Sequence, residues 1–140
     1  MSKLAIVYWS GTGNTESMAA FVGEGAKSAG AEVTLYTASE FTADMMADFD
    51  AIAFGCPSMG AEQLEEDEFE PMFLDCRGNL SGKPVGLFGS YGWGDGEWMR
   101  AWEEDCRAAG ANLVGEGVIC MEAPDEDAEE ACQKLGAALV

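Results

Sequence analysis

The chain is organised by a rhythm of short apolar runs separated by longer amphipathic stretches. Lys3 to Trp9 (KLAIVYW), Asp50 to Cys56 (DAIAFGC) and Lys83 to Ser90 (KPVGLFGS) are nearly continuous in apolar side chains. Strands buried on both faces have this pattern. Glu32 to Thr37 (EVTLYT) and Asn112 to Met121 (NLVGEGVICM) supply two further strands, the second weakened by Gly115 and Gly117. Five amphipathic segments lie between and after them: Asn14 to Ala29, Thr42 to Ala47, Phe69 to Cys76, Gly96 to Ala109 and Asp125 to Leu139. Each begins near Asn, Thr, Asp or Glu, as helices do. Strand and helix alternating five times require βαβ units with right-handed crossovers, hence a parallel sheet with helices on both faces. The expected fold is therefore α/β: a three-layer, doubly wound, five-stranded parallel sheet. No repeat, linker or low-complexity stretch interrupts it, and 140 residues are the size of a single domain, 1–140.

Composition narrows the function. Seven Lys and Arg stand against 26 Asp and Glu, a formal net charge of −19. That balance argues against nucleic acid, whose phosphates need cations, and against anionic membrane surfaces. Partners with basic faces are favoured. Six acids fall within Glu62 to Glu70 and six within Glu122 to Glu130, although such stretches also serve as plain solvated helix faces. No apolar run is long enough for a membrane span, and no cleavage site follows Lys3, so the cytoplasm is the expected location; a monomer is expected as well. Five cysteines at 56, 76, 106, 120 and 132, with no CxxC pair and no His, point to packed thiols and to neither a disulfide framework nor a zinc site.

In a doubly wound sheet, ligands bind outside the carboxyl ends of the strands, where strand order reverses. Three loops occupy those ends: 10–15, 57–64 and 90–97. The first, Ser10-Gly11-Thr12-Gly13-Asn14-Thr15, leads from a strand into a helix. Its glycines let backbone N–H groups turn inward, its hydroxyls add donors, and the helix dipole favours an anion. It is neither a Walker A loop, since no GK[ST] follows, nor a GxGxxG fingerprint, since the third Gly is missing. None of the seven cations (3, 27, 77, 83, 100, 107, 134) lies in the three loops. A phosphate here would keep most of its charge. On the residues alone, such a loop serves equally well as a simple turn.

Directly after an apolar first strand, SGTGNT resembles the FMN phosphate loop of the flavodoxin family. Pro57-Ser58-Met59-Gly60-Ala61-Glu62 is similar to the family's second flavin loop, and Ser90-Tyr91-Gly92-Trp93-Gly94 to its third. The resemblance spans essentially all 140 residues, is strongest to short-chain clostridial-type flavodoxins, and implies strand order 2-1-3-4-5 with FMN between strands one and three. It implies a noncatalytic, noncovalent FMN electron carrier, with no metal, serving larger redox enzymes. Trp93 would cover one flavin face and Met59 the other; on sequence alone, Met59 is equally an ordinary exposed loop residue. Trp9, Trp98 and Trp102 are read as structural, and Met45 and Met46 as core.

By the same resemblance, the Gly60-Ala61 peptide turns over when one electron arrives, so that its carbonyl accepts from the protonated flavin N5, and Glu62 bonds the flavin N3–H. Many relatives have an acid or Ser at Ala61, and some a hydroxyl at Pro57. An uncompensated phosphate and an acidic rim oppose added charge. The expected working couple is therefore the low-potential one between semiquinone and hydroquinone.

Two rivals share the fold. An FMN-dependent NAD(P)H:quinone reductase needs room for a nicotinamide and a quinone, which an uninterrupted strand over Asn112 to Met121 leaves scarce. A receiver-type signalling module needs acids after strand one and an Asp after strand three, where Trp9-Ser10 and Cys56-Pro57 stand.

Overall fold

A computed structural model of the chain describes residues 2–11, 13–59, 63–92, 94 and 96–140. Its elements run β1 (Lys3–Tyr8), α1 (Asn14–Ser28), β2 (Glu32–Thr37), two short 3-10 turns (Ala38–Glu40 and Ala43–Asp48), β3 (Ala51–Gly55), α2 (Phe69–Arg77), β4 (Pro84–Tyr91), α3 (Glu97–Ala108), β5 (Asn112–Leu113), β6 (Val118–Met121) and α4 (Glu126–Ala138). All strand pairs are parallel, in the order β2-β1-β3-β4, with β5 and β6 both on the outer edge of β4. If β5 and β6 are counted as the two halves of one edge strand, this is the expected 2-1-3-4-5 order.

The period-two alternation of the strands sorts their side chains onto two faces. Ala5 and Val7 of β1, Ile52 and Phe54 of β3, and Val85 and Leu87 of β4 join a core with Phe69, Phe73, Trp98 and Trp102 of α2 and α3. Leu4, Ile6, Ala51, Ala53 and Phe88 face the opposite way, onto Met18, Val22, Ala26, Cys132 and Leu135 of α1 and α4. The central strands therefore read as unbroken apolar runs because both faces are covered. The edge strand β2, by contrast, is largely exposed. Trp98, Trp102 and Met46 are buried as expected, and Met45 packs partly against the same core. No helix among the described residues is long and apolar enough to cross a membrane.

Two expectations need correction. The amphipathic segment Thr42 to Ala47 is not an α-helix: the crossover from β2 to β3 is made by 3-10 turns. A segment this short cannot repay α-helix nucleation. It is held instead by Lys83, whose Nζ donates to the carbonyls of Met46 (3.1 Å) and Phe49 (2.6 Å). The strand over Asn112 to Met121 is also interrupted. Leu113 pairs with Val85 and Val118 with Phe88, so the edge strand carries more chain than its partner between the same two rungs, and the excess bulges out. Gly115 lies in the bulge with φ 69°, and Glu103 Oε2 accepts the Gly117 N–H at 2.8 Å. An uninterrupted edge strand therefore does not weigh against extra segments in this chain.

Candidate functional site

The three loops meet at the carboxyl end of the sheet around a cleft of about 600 Å³, within the range of small-molecule sites. Gly11 and Asn14 line it from the first loop, Pro57, Ser58 and Met59 from the second, and Ser90, Tyr91 and Gly92 from the third. Thr12, Gly60, Ala61, Glu62 and Trp93 lie outside the described residues. Ser10, Gly13, Thr15 and Gly94 are not in the lining; the first three act behind it.

The first loop is built by its own side chains. Ser10 Oγ accepts from the backbone N–H of Gly13 (3.1 Å) and of Glu16 (3.3 Å), drawing the chain into a tight turn. Gly13 takes a left-handed conformation, φ 93°, which a residue with a Cβ adopts only under strain. Its carbonyl receives both the N–H (3.0 Å) and the Oγ (3.1 Å) of Ser17. Thr15 is buried and its Oγ1 lies 3.0 Å from Ser90 Oγ, tying the first loop to the third. The Ser90 N–H also points at Thr15 Oγ1, at 3.4 Å.

The second loop is fastened to the same strand ends. The Ser58 N–H donates to the Ser90 carbonyl at 3.0 Å, and Met59 and Gln63 exchange backbone bonds of 2.8 and 2.9 Å. Cys56 is a hub beneath it: its carbonyl accepts the Trp98 indole N–H at 3.2 Å and its sulfur accepts the Glu65 N–H at 3.4 Å. Burial pushes the Cys56 thiol up to about 12, so it is a packed neutral group and not a nucleophile. The other four cysteines are likewise buried and free.

No Lys or Arg stands among the cleft-lining residues. The neighbourhood is acidic. Tyr8, at the end of β1, has its phenol raised by burial and then by the charges of Glu16 and Glu40. Among the described residues Ser58 Oγ is buried with no hydrogen-bond partner, although buried hydroxyls in folded proteins are nearly always paired. Ser58 lines the cleft, so a change of its side-chain rotamer would bring the hydroxyl to a polar ligand atom.

Three lining residues escaped the sequence reading: Trp9, Glu122 and Ala123. Trp9, expected to be structural, packs partly against the core and also forms cleft wall, its ring resting on the Gly11 backbone. Glu122 follows β6 and is the non-glycine residue with positive φ, 58°, among those described. Its N–H donates to the Tyr91 carbonyl at 2.7 Å. Both positions follow strand carboxyl ends, and that placement was the available signal.

A family model for flavodoxin matches residues 6–135. The chain is 48% identical to the flavodoxin of Megasphaera elsdenii over 133 residues, 95% of each chain. It is 45% identical to that of Clostridium beijerinckii, over 95% of this chain and 96% of the relative. The solution structure of the two-electron-reduced Megasphaera elsdenii flavodoxin superposes with a TM-score of 0.87 at 46% identity, over 97% of both chains.

Proposed function

From the premise that the chain belongs to the flavodoxin family and is an FMN-binding electron carrier, we propose that it is a low-potential one-electron shuttle holding FMN in the cleft between loops 10–15, 57–62 and 90–94. The observation that carries the placement is Ser58: a buried, unpartnered hydroxyl in the cleft wall is a polar group awaiting a ligand.

Bound there, FMN supplies reversible one-electron chemistry. The protein supplies position and field. Ser10 and Gly13 hold the first loop so that its N–H groups and the N-terminus of α1 meet the phosphate. Thr15 and Ser90 lock that loop to the strand that carries Tyr91 and Gly92. Met59 lines the cleft and would cover one flavin face; by the family resemblance Trp93 would cover the other, and Thr12, Gly60, Ala61 and Glu62 would complete the polar contacts. No lining cation offsets the phosphate. At an effective dielectric of about 20, a negative charge about 10 Å away opposes an added electron by about 1.7 kcal/mol, about 70 mV. Several such charges select the lower of the two one-electron steps as the working one.

The acids have a second use. Glu66, Asp67 and Glu68, which follow the second loop in sequence, and Glu126 and Asp127, which follow cleft-lining Glu122, are exposed, as is Glu122, and in this reading they steer basic docking faces of donor and acceptor enzymes to the cleft. Reductive titration with dithionite, followed by visible absorbance, tests the whole reading. A yellow protein reduced in two well-separated one-electron steps is expected; a single two-electron step, or a colourless protein that ignores added FMN, would overturn it.

A further inference from the structure

Three polar or charged residues are buried among those described: Thr15, Ser90 and Glu65. The first two join cleft loops to each other. Glu65 is 5% exposed and lies outside the cleft, yet its carboxylate is fully engaged. Oε2 accepts the Asp67 N–H at 2.8 Å, and Oε1 accepts the N–H groups of Glu68 (2.7 Å) and Phe69 (2.8 Å). Phe69 opens α2 and Asp67 and Glu68 lead into it, where the helix dipole also favours the negative group of Glu65. The main chain of the same residue is used as well: its N–H meets Cys56 Sγ at 3.4 Å and its carbonyl accepts the Glu70 N–H at 2.8 Å.

Capping alone does not account for this arrangement. The residue at the N-cap position, Glu68, makes no side-chain cap bond; a Ser or Asp there would satisfy a helix end without involving any other segment. The carboxylate instead comes from three residues upstream, within the segment that returns from the second cleft loop. That loop is closed at its base by the Met59–Gln63 pair, two residues before Glu65. One side of the loop hangs from strand β4 through the Ser58 bond to Ser90. The other side is anchored only a short step away, by Glu65 to the core at Cys56 and to the first turn of α2.

Resting on the reading of the cleft as the FMN site, we propose that Glu65 is a positioning residue for the cofactor: its carboxylate fixes the chain that returns from the second loop at Gln63, and through the Met59–Gln63 pair sets how Ser58 and Met59 meet FMN. Burial alone would raise this carboxyl group, but the three N–H donors outweigh it and hold it below its ordinary value, so it stays ionised and accepting at neutral pH. The charge belongs to the clamp, and so does the length of the side chain.

The test separates length from charge. Glu65→Asp keeps the charge but withdraws the carboxylate by one methylene; Glu65→Gln keeps the reach but turns an amide NH2 toward backbone donors. Glu68→Gln removes an equally local, exposed charge as a control. Each is measured for FMN dissociation constant, for the midpoint potentials of both one-electron steps, and for hydrogen exchange at the Met59 and Gln63 amides of the apo-protein, with sucrose added if a variant is marginally stable. The expected result is FMN binding weakened about tenfold or more in both Glu65 variants, faster exchange at the two amides, and a lower-step potential that moves even in Glu65→Asp, whereas Glu68→Gln leaves FMN affinity and amide exchange unchanged and moves the potential only by the loss of one exposed charge. Glu65 variants that lose thermal stability alone, with FMN affinity, potentials and exchange unchanged, would overturn the proposal, as would a potential shift in Glu65→Gln matched by Glu68→Gln and absent from Glu65→Asp. A wild-type protein that does not bind FMN would overturn the reading of the cleft and the proposal together.

Discussion

Thr15 Oγ1 and Ser90 Oγ lie 3.0 Å apart across 75 residues of sequence, and this buried pair joins the first cleft loop to the end of β4. Removing one hydroxyl strands the other, so Thr15→Val and Ser90→Ala should each lower stability by about 1–3 kcal/mol. The double variant should cost less than the sum of the two, because no unpaired hydroxyl remains. Urea unfolding of the apo-proteins measures all three; strict additivity would show that the pair is not coupled.

Ser58 presents the opposite case. Its buried Oγ has no partner among the described residues, so Ser58→Ala should leave apo-protein stability unchanged or slightly raised. FMN affinity should nevertheless fall by about 1 kcal/mol, roughly fivefold, for one lost hydrogen bond. Fluorescence titration of FMN alongside thermal melts of the apo-protein checks both signs.

On the far face of the sheet, α1 and α4 are in backbone contact. A Cβ on Gly136 would lie 2.0 Å from the Val22 carbonyl oxygen, and one on Gly25 would lie 1.9 Å from that of Gln133. Gly136→Ala must push the helices apart, and a loss of about 1–3 kcal/mol is expected. The denaturant midpoint reads it directly.

The cysteines make stability depend on alkaline pH. Burial is the first cause raising each thiol, from 9.0 to about 12 for Cys56, Cys76, Cys106 and Cys132 and to about 11 for Cys120. Their folded values are raised, so the folded chain holds protons that the unfolded chain releases above pH 9. The contribution is fully present below that pH and is lost as pH rises toward the folded values, by up to about 1.4 kcal/mol per pH unit per thiol. Urea unfolding at pH 7, 9 and 10 should show a steepening decline, and native thiols should resist iodoacetamide until the protein unfolds.

Association with a basic redox partner should be steered by the net charge of −19. The second-order electron-transfer rate is expected to fall as salt rises through the range where the Debye length shrinks from about 10 to about 3 Å. Stopped-flow measurements across that range check it; a flat profile would remove the steering role of the acidic rims.

The sheet was legible in the sequence wherever packing leaves one choice. The apolar runs of β1, β3 and β4 are continuous because helices cover both faces, and the turn of the first loop is written in Ser10, Gly11 and Gly13. The 3-10 crossover was not legible, because its apolar spacing fits a helix and only its shortness and the distant Lys83 amine decide otherwise. Nor was the break in the edge strand: Gly115 and Gly117 signalled weakness, but a bulge exists only in relation to the register of a partner strand.

The same division runs through the cleft. Residue identity and chain order are enough to say which loops close the carboxyl end of the sheet, that they are rich in donors and free of cations, and that acidic stretches follow them. Only the tertiary structure decided that Thr15 and Ser90 spend their hydroxyls on each other, that Ser58 is left unpaired in the wall, that Trp9 and Glu122 reach the cleft, and that Glu65 is a clamp and not another surface acid. Each of these depends on a contact a few ångströms long, most of them between segments far apart in the chain, and such contacts exist only once burial has brought the segments together.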